Sequence, residues 1–161
     1  EAVASSNGTV VIRVNGSSST INGVQISTYQ PGLFEYIAAN NQRYAVVEKE
    51  NGSYVTLDNP ARRGDKLRMF VTGIGQASPT LFTNQPGVNN QTVTAPIIIG
   101  INGAGVNVIS AETVAGSIGV YLIIFQVPDN APLNDTKVIA AVGLPNNGGL
   151  VFGNEANIPI R

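Results

Sequence analysis

Apolar positions along this chain recur with a period of two far more often than with a period of 3.6. Short runs rich in β-branched and aromatic residues stand at 9–14, 21–27, 33–37, 43–48, 66–74, 96–102, 106–110, 119–127, 137–142 and 157–160, with Asn-Gly, Pro and Gly between them. This pattern predicts strands, and helical periodicity is nearly absent. Asn-Gly pairs at Asn15, Asn22, Asn51 and Asn102 each stand beside a strand-like run. Both residue types tolerate the positive φ angles that two-residue hairpin turns need. About ten strands of roughly 5–6 residues, punctuated by turns, predict an all-β sandwich or barrel.

Two runs break the simple inside–outside alternation. In 119–127, Tyr121, Ile123 and Phe125 share one face of a strand, and Leu122, Ile124 and Gln126 share the other. Both faces are apolar over the middle of that strand. One packs the core, while the second needs a cover: a strand pair from the N-terminus, a neighbouring subunit, or a folded loop. Ile97-Ile98-Ile99 poses the same choice between a central strand buried on both faces and an edge open to intermolecular pairing.

The runs at 9–14 and 21–27 read as a strand pair leading into Pro31-Gly32, and 137–142 with 154–161 reads as a similar pair closing the chain. The first pair has the character of the end of a preceding module, so the expected organisation is a strand pair over 1–29 and a sandwich over 30–161. Alone in water such a pair is marginal and must find a sheet, in its own subunit or in another. The candidate subunit-contact residues are therefore Val10, Ile12, Val14, Ile21, Val24 and Ile26 on the pair, with Leu122 and Ile124 on the sandwich.

Composition narrows the function classes. The 161 residues suit one domain. Only 12% are charged, against about a quarter in an ordinary soluble domain. A hydrophobic share of 43% excludes a disordered tail. The net charge of −1 offers no basic face for nucleic acid or an anionic membrane. A surface so poor in charge calls for glycans or for partners that cover it. No apolar run approaches the ~18 residues of a membrane span. The sequence opens on Glu1 without a methionine, which reads as a processed product or a fragment with any signal peptide already removed.

Candidate chemistry is sparse. With no His and no Cys, a Ser-His-Asp triad, a Cys-His pair and a zinc site on either residue are all excluded. A serine with a lysine base would have to use Lys49, Lys66 or Lys137, none of which lies in a nucleophile motif. Glu48 and Glu50 flank Lys49 before the Asn51-Gly52 turn, where solvated charges explain them better than a glycosidase pair. Asp129, Asn130, Asn134 and Asp135 offer oxygen ligands for calcium, but the spacing fits an Asx-rich turn. Gly73-Ile74-Gly75 follows a strand with no helix behind it, so the phosphate-loop geometry is missing. Arg62-Arg63 reads as a charged turn. Tyr29, Phe34, Tyr36 and Tyr44 suit either a core or a carbohydrate-binding surface. Asn7, Asn15, Asn51, Asn90 and Asn134 head Asn-x-Ser/Thr sequons and are candidate glycosylation sites. The segments 17–20 and 84–94 are rich enough in Ser, Thr and Asn to carry O-linked sugars, although plain loop explains them as well.

Three ordered stretches carry a family resemblance. They are Tyr29-Gln30-Pro31-Gly32-Leu33-Phe34, then Asn59-Pro60-Ala61-Arg62-Arg63-Gly64-Asp65 running into Val71-Thr72-Gly73-Ile74-Gly75, and Gly119-Val120-Tyr121 followed by Phe125-Gln126-Val127-Pro128 and Ala131-Pro132. From about residue 29 to 161 the chain resembles the C-terminal module of uncharacterised secreted acidobacterial proteins of the Solibacter type. The resemblance implies an immunoglobulin-like antiparallel β-sandwich outside the cell or at its surface, with no assigned activity, catalytic residue or cofactor. The chain departs from that family at Leu122 and Ile124, where polar residues are usual. The expected function is a non-enzymatic structural subunit that self-associates by strand addition into a surface assembly or filament. A carbohydrate- or ligand-binding adhesion module of a larger secreted protein is the alternative.

Overall fold

The computed structural model describes residues 6–145 and 148–161, so the first five residues of the predicted 1–29 unit lie outside the described residues. Among the described residues there are fifteen strands and no helix. The first two, β1 (Ser6–Val14) and β2 (Ser17–Ile26), form a two-stranded sheet of their own. Asn15 and Gly16 turn between them at φ of 48° and 82°, the pair of positive values a two-residue hairpin needs. A bulge shifts the register between Gly8 and Val10.

The other thirteen strands build the sandwich. They are β3 (Gly32–Leu33), β4 (Glu35–Ile37), β5 (Arg43–Ala45), β6 (Val47–Lys49), β7 (Lys66–Thr72), β8 (Ala77–Ser78), β9 (Thr92–Val93), β10 (Ile97–Ile101), β11 (Ala104–Val106), β12 (Val108–Thr113), β13 (Tyr121–Gln126), β14 (Asp135–Gly143) and β15 (Leu150–Pro159). One sheet runs β11-β10-β14-β15-β5-β4 and the other β3-β7-β13-β12-β9-β8, with β6 also on β7. Every pairing between these strands is antiparallel except that of β15 with β5. The period-two pattern supplies the core between the sheets. Leu67, Met69, Val71, Ile123 and Phe125 face inward from one sheet, and Ile99, Val138, Ala140, Val142 and Ile158 from the other, all essentially inaccessible to water.

Several predicted strands differ in extent. The run 33–37 is divided at Phe34 and the run 43–48 at Val46, because the chain changes sheets at both residues. The run 106–110 is divided at Asn107, between the end of β11 and the start of β12. The last strand is far longer than 157–160: β15 pairs with β14 from Leu150 onward, across a register shift around Gly153 and Asn154 that disguises the alternation. Predicted turns at Asn15 and Asn102 are hairpin turns, whereas Asn22-Gly23 lies within β2 beside the bulge. The Ile97-Ile98-Ile99 run resolves both ways. Ile99 is paired on both sides, while Ile97 and Ile98 pair with β14 alone.

Candidate functional site

The hairpin's side chains are sorted by face. Alternation and the register Val10↔Ile21, Ile12↔Ser19 and Val14↔Ser17 put Val10, Ile12, Val14 and Ile21 on one face, and Val24 and Ile26 continue it past the bulge. The opposite face carries Asn7, Thr9, Val11, Arg13, Ser18 and Thr20. Val10, Ile12, Val14 and Ile21 are 42%, 52%, 61% and 52% exposed, Ile26 is exposed as well, and Val24 is half-buried. Among the described residues no strand of the sandwich packs extensively on this ribbon. It is an amphipathic sheet with its apolar side open.

The base of the ribbon is fixed. Gln30 donates its N–H to the Gly73 carbonyl at 2.9 Å, and Tyr29 packs against the core. Gly73 (φ 70°) allows this approach, since a Cβ there would stand 1.9 Å from the Gln30 oxygen. Gly75 gives the Tyr29 ring room in the same way. The two glycines of the Gly73-Ile74-Gly75 motif thus hold a strap, and Ile74 between them is buried in the core.

Leu122 and Ile124 are half-buried on the outer face of β13, where Leu122 lies opposite Phe70 and Ile124 opposite Arg68 on β7. Beside them runs a shallow apolar trough of about 290 Å³ lined by Phe34, Val46, Tyr54, Phe70 and Val120. A second hollow of about 290 Å³ shares Val46 and Tyr54 and extends to Tyr36 and Val55. The trough exists because three backbones meet there. Phe34 donates to the Phe70 carbonyl (3.3 Å), Val46 to Phe34 (2.7 Å), and Phe70 to Val46 (3.5 Å). At these sheet-switching residues the inward positions belong to neighbours such as Leu33, Ala45, Val47 and Val71, so the crossing side chains face out. The Arg68–Glu48 ion pair (3.3 Å) stands beside the trough. Of the trough residues the sequence singles out Phe34 alone, as one of the aromatics that suit a core or a surface. Val46, Tyr54, Phe70 and Val120 escape it, although Phe70 carried a signal as the apolar residue on the outward phase of Leu67-Arg68-Met69-Phe70-Val71.

A different cleft, of about 360 Å³, opens at the end of the sandwich where the ribbon is rooted. Gln30, Gln76, Asn84, Gln85 and Thr94 line it with the exposed Phe82, and none of its lining residues is charged. The Tyr121 hydroxyl donates to the Gly75 carbonyl at its floor (2.6 Å), and burial raises the Tyr121 pKa.

The remaining candidates are dispersed. Glu48 faces Arg68, and Glu50 lies 3.9 Å from Lys66, so the two carboxylates serve separate surface pairs. Lys49 donates to the Asn59 side chain and the Pro60 carbonyl. Asp135 is engaged by Arg161 Nη2 at 2.5 Å and by the Tyr44 hydroxyl at 2.8 Å, and the hydrogen bond from Arg161 holds its carboxyl below the usual range. Arg63 donates two hydrogen bonds to the Ala131 carbonyl in the same loop. No group of three acidic side chains gathers among the described residues. Of the aromatic set, Tyr44 is core, Tyr36 packs beside it with ring centroids 5.9 Å apart, and Phe34 faces outward. Burial raises the pKa of Tyr36 and of Tyr44. The asparagines of all five sequons are exposed. No helix among the described residues is long and apolar enough to cross a membrane.

No family model, no curated protein and no solved structure matches this chain.

Proposed function

We propose that this chain is a non-enzymatic extracellular structural subunit, an immunoglobulin-like module that self-associates into a surface assembly or filament through its N-terminal hairpin. The observation that carries this reading is the open apolar face of β1 and β2, with four large side chains more than 40% exposed on a ribbon that packs extensively on no sandwich strand among the described residues. A patch of that kind marks an interaction surface. The low charge of the chain and its likeness to secreted acidobacterial modules support the same reading. Contact between a ribbon on one subunit and a different surface on the next is head-to-tail, and it propagates into a filament where the rotation between subunits closes no ring.

Deleting residues 1–28 tests this directly. The truncated chain is expected to keep a cooperative unfolding transition and to lose assembly, measured by light scattering and electron microscopy. An unchanged oligomeric state after the deletion would sink the proposal.

The uncharged, amide-lined cleft with Phe82 at its rim favours one second reading, an adhesion module for a neutral glycan. Glycan-array binding by a monomeric chain, abolished by Phe82→Ala, would select it.

A further inference from the structure

Resting on the reading of the hairpin as the donor, we propose that its acceptor is the apolar trough at Phe34, Val46, Tyr54, Phe70 and Val120 on a second copy of the chain. The ribbon seats there face to face, and does not extend a sheet at its edge.

The edges argue against strand addition. The outermost strands β4 and β11 have three residues each, and β3 and β8 have two. Strands this short offer only a few backbone bonds to a ribbon of nine and ten residues. The trough presents what the edges lack. Phe34 and Tyr54 are 42% and 55% exposed, with Phe70, Val46 and Val120 half-buried between them, and Leu122 and Ile124 prolong the apolar surface along β13. The exposed side chains of the ribbon, and the trough with its prolongation, are both apolar patches of the kind that mark interaction surfaces.

Charge agrees with the pairing. The apolar face of the ribbon carries no charged residue, the trough lining carries none, and the nearby Arg68 and Glu48 neutralise each other. Neither surface therefore brings an unpaired charge into the contact.

The tether makes the acceptor a second copy. Only Ser27 and Thr28 separate β2 from Tyr29 and the pinned Gln30. Held so close to this anchor, the ribbon packs extensively on no strand of its own sandwich among the described residues, and its apolar face stays open.

Two sets of substitutions separate donor from acceptor. Ile12→Asp with Ile21→Asp disables the ribbon, and Phe34→Asp with Tyr54→Asp disables the trough. All four positions are exposed, and thermal unfolding checks that each variant stays folded. Wild type is expected to elongate and each double variant to remain monomeric. Mixing the two double variants is expected to give a 1:1 dimer that grows no further, because one intact ribbon meets one intact trough. Assembly of the trough variant at the wild-type rate, with the ribbon variant still monomeric, overturns the acceptor and leaves the donor reading standing. Assembly by the ribbon variant, or a wild type that stays monomeric, overturns the donor reading as well.

Cross-linking gives an answer that does not depend on variant stability. The chain has no cysteine, so single cysteines at Ile12 or Ile21 can be paired with single cysteines at Phe34 or Tyr54. Oxidation of mixed single-cysteine chains is expected to give an intermolecular dimer for at least one pairing. Absence of a dimer for all four pairings overturns the trough. An intramolecular link in a chain carrying both cysteines, without any dimer, shows the ribbon folded on its own sandwich and overturns the second copy.

Discussion

Tyr44 shows how a single side chain ties distant parts of the chain together. It is 1% exposed, receives a hydrogen bond from Asn40 and donates one to Asp135, whose other oxygen meets Arg161. Tyr44→Phe deletes the bond to a charged acceptor and is expected to cost about 1.5 kcal/mol in urea unfolding. Asp135 adds a pH dependence. Its carboxyl is more acidic in the folded chain than the ordinary value of 3.8. The stability it contributes is therefore complete above that value and is lost as pH falls through the depressed folded pKa. Asp135→Asn is expected to flatten this part of the acid limb when unfolding midpoints are compared between pH 5 and pH 2. Gly73 is constrained differently, since a Cβ there meets the Gln30 carbonyl. Gly73→Ala is expected to destabilise by about 2 kcal/mol or more, combining left-handed strain with loss of the strap.

At the scale of strands, the two faces of β13 differ in what they hold. Ile123 is inaccessible in the core, while Leu122 beside it is half-buried on the outside. Ile123→Ala is expected to cost 2–5 kcal/mol, and Leu122→Asn under about 1 kcal/mol, read from denaturant midpoints at unchanged slope. The same strand illustrates what the sequence makes legible. Period-two alternation separated Tyr121, Ile123 and Phe125, which are buried, from Leu122 and Ile124 on the outer face of β13, since burial acts on every second side chain. Positive φ at Asn15 and Asn102 made two hairpins readable from Asn-Gly alone. The points where strands change sheets were not readable. Val46 sits inside the continuous apolar run Tyr44-Ala45-Val46-Val47, and Phe34 inside a run read as one strand from 33 to 37, and nothing local distinguishes a crossing from a straight strand. The trough arises at those crossings and is assembled from segments 34, 46, 54, 70 and 120, so only the tertiary structure brings it together. The ribbon is a local feature, and its apolar residues could be named from sequence.

For the whole molecule, the ribbon and the trough together define the expected behaviour in solution. A contact made by aliphatic and aromatic side chains without ion pairs responds weakly to salt and strongly to temperature. Assembly is expected to change little between 50 mM and 1 M NaCl and to weaken on cooling toward 4 °C. Calorimetry of association should give a negative heat-capacity change. An assembly that dissolves at high salt would point to a charged interface elsewhere. Two of the sequons fit such a contact: Asn7 lies on the polar face of the ribbon and Asn15 at its tip.

The strap at Gln30 also fixes where force would travel in a chain of such subunits. A pull on the ribbon reaches Gln30 first, held by the Gly73 carbonyl, and then Leu33, whose N–H and carbonyl are both gripped by the Asn154 side chain at 2.7 and 3.3 Å. Tension is thereby divided between the two sheets within four residues. Because β3 pairs with β7 over Gly32 and Leu33 alone, a load directed along β3 shears these few backbone bonds together instead of opening them one after another. In the proposed assembly, this anchoring would carry tension from the ribbon into both sheets of the sandwich.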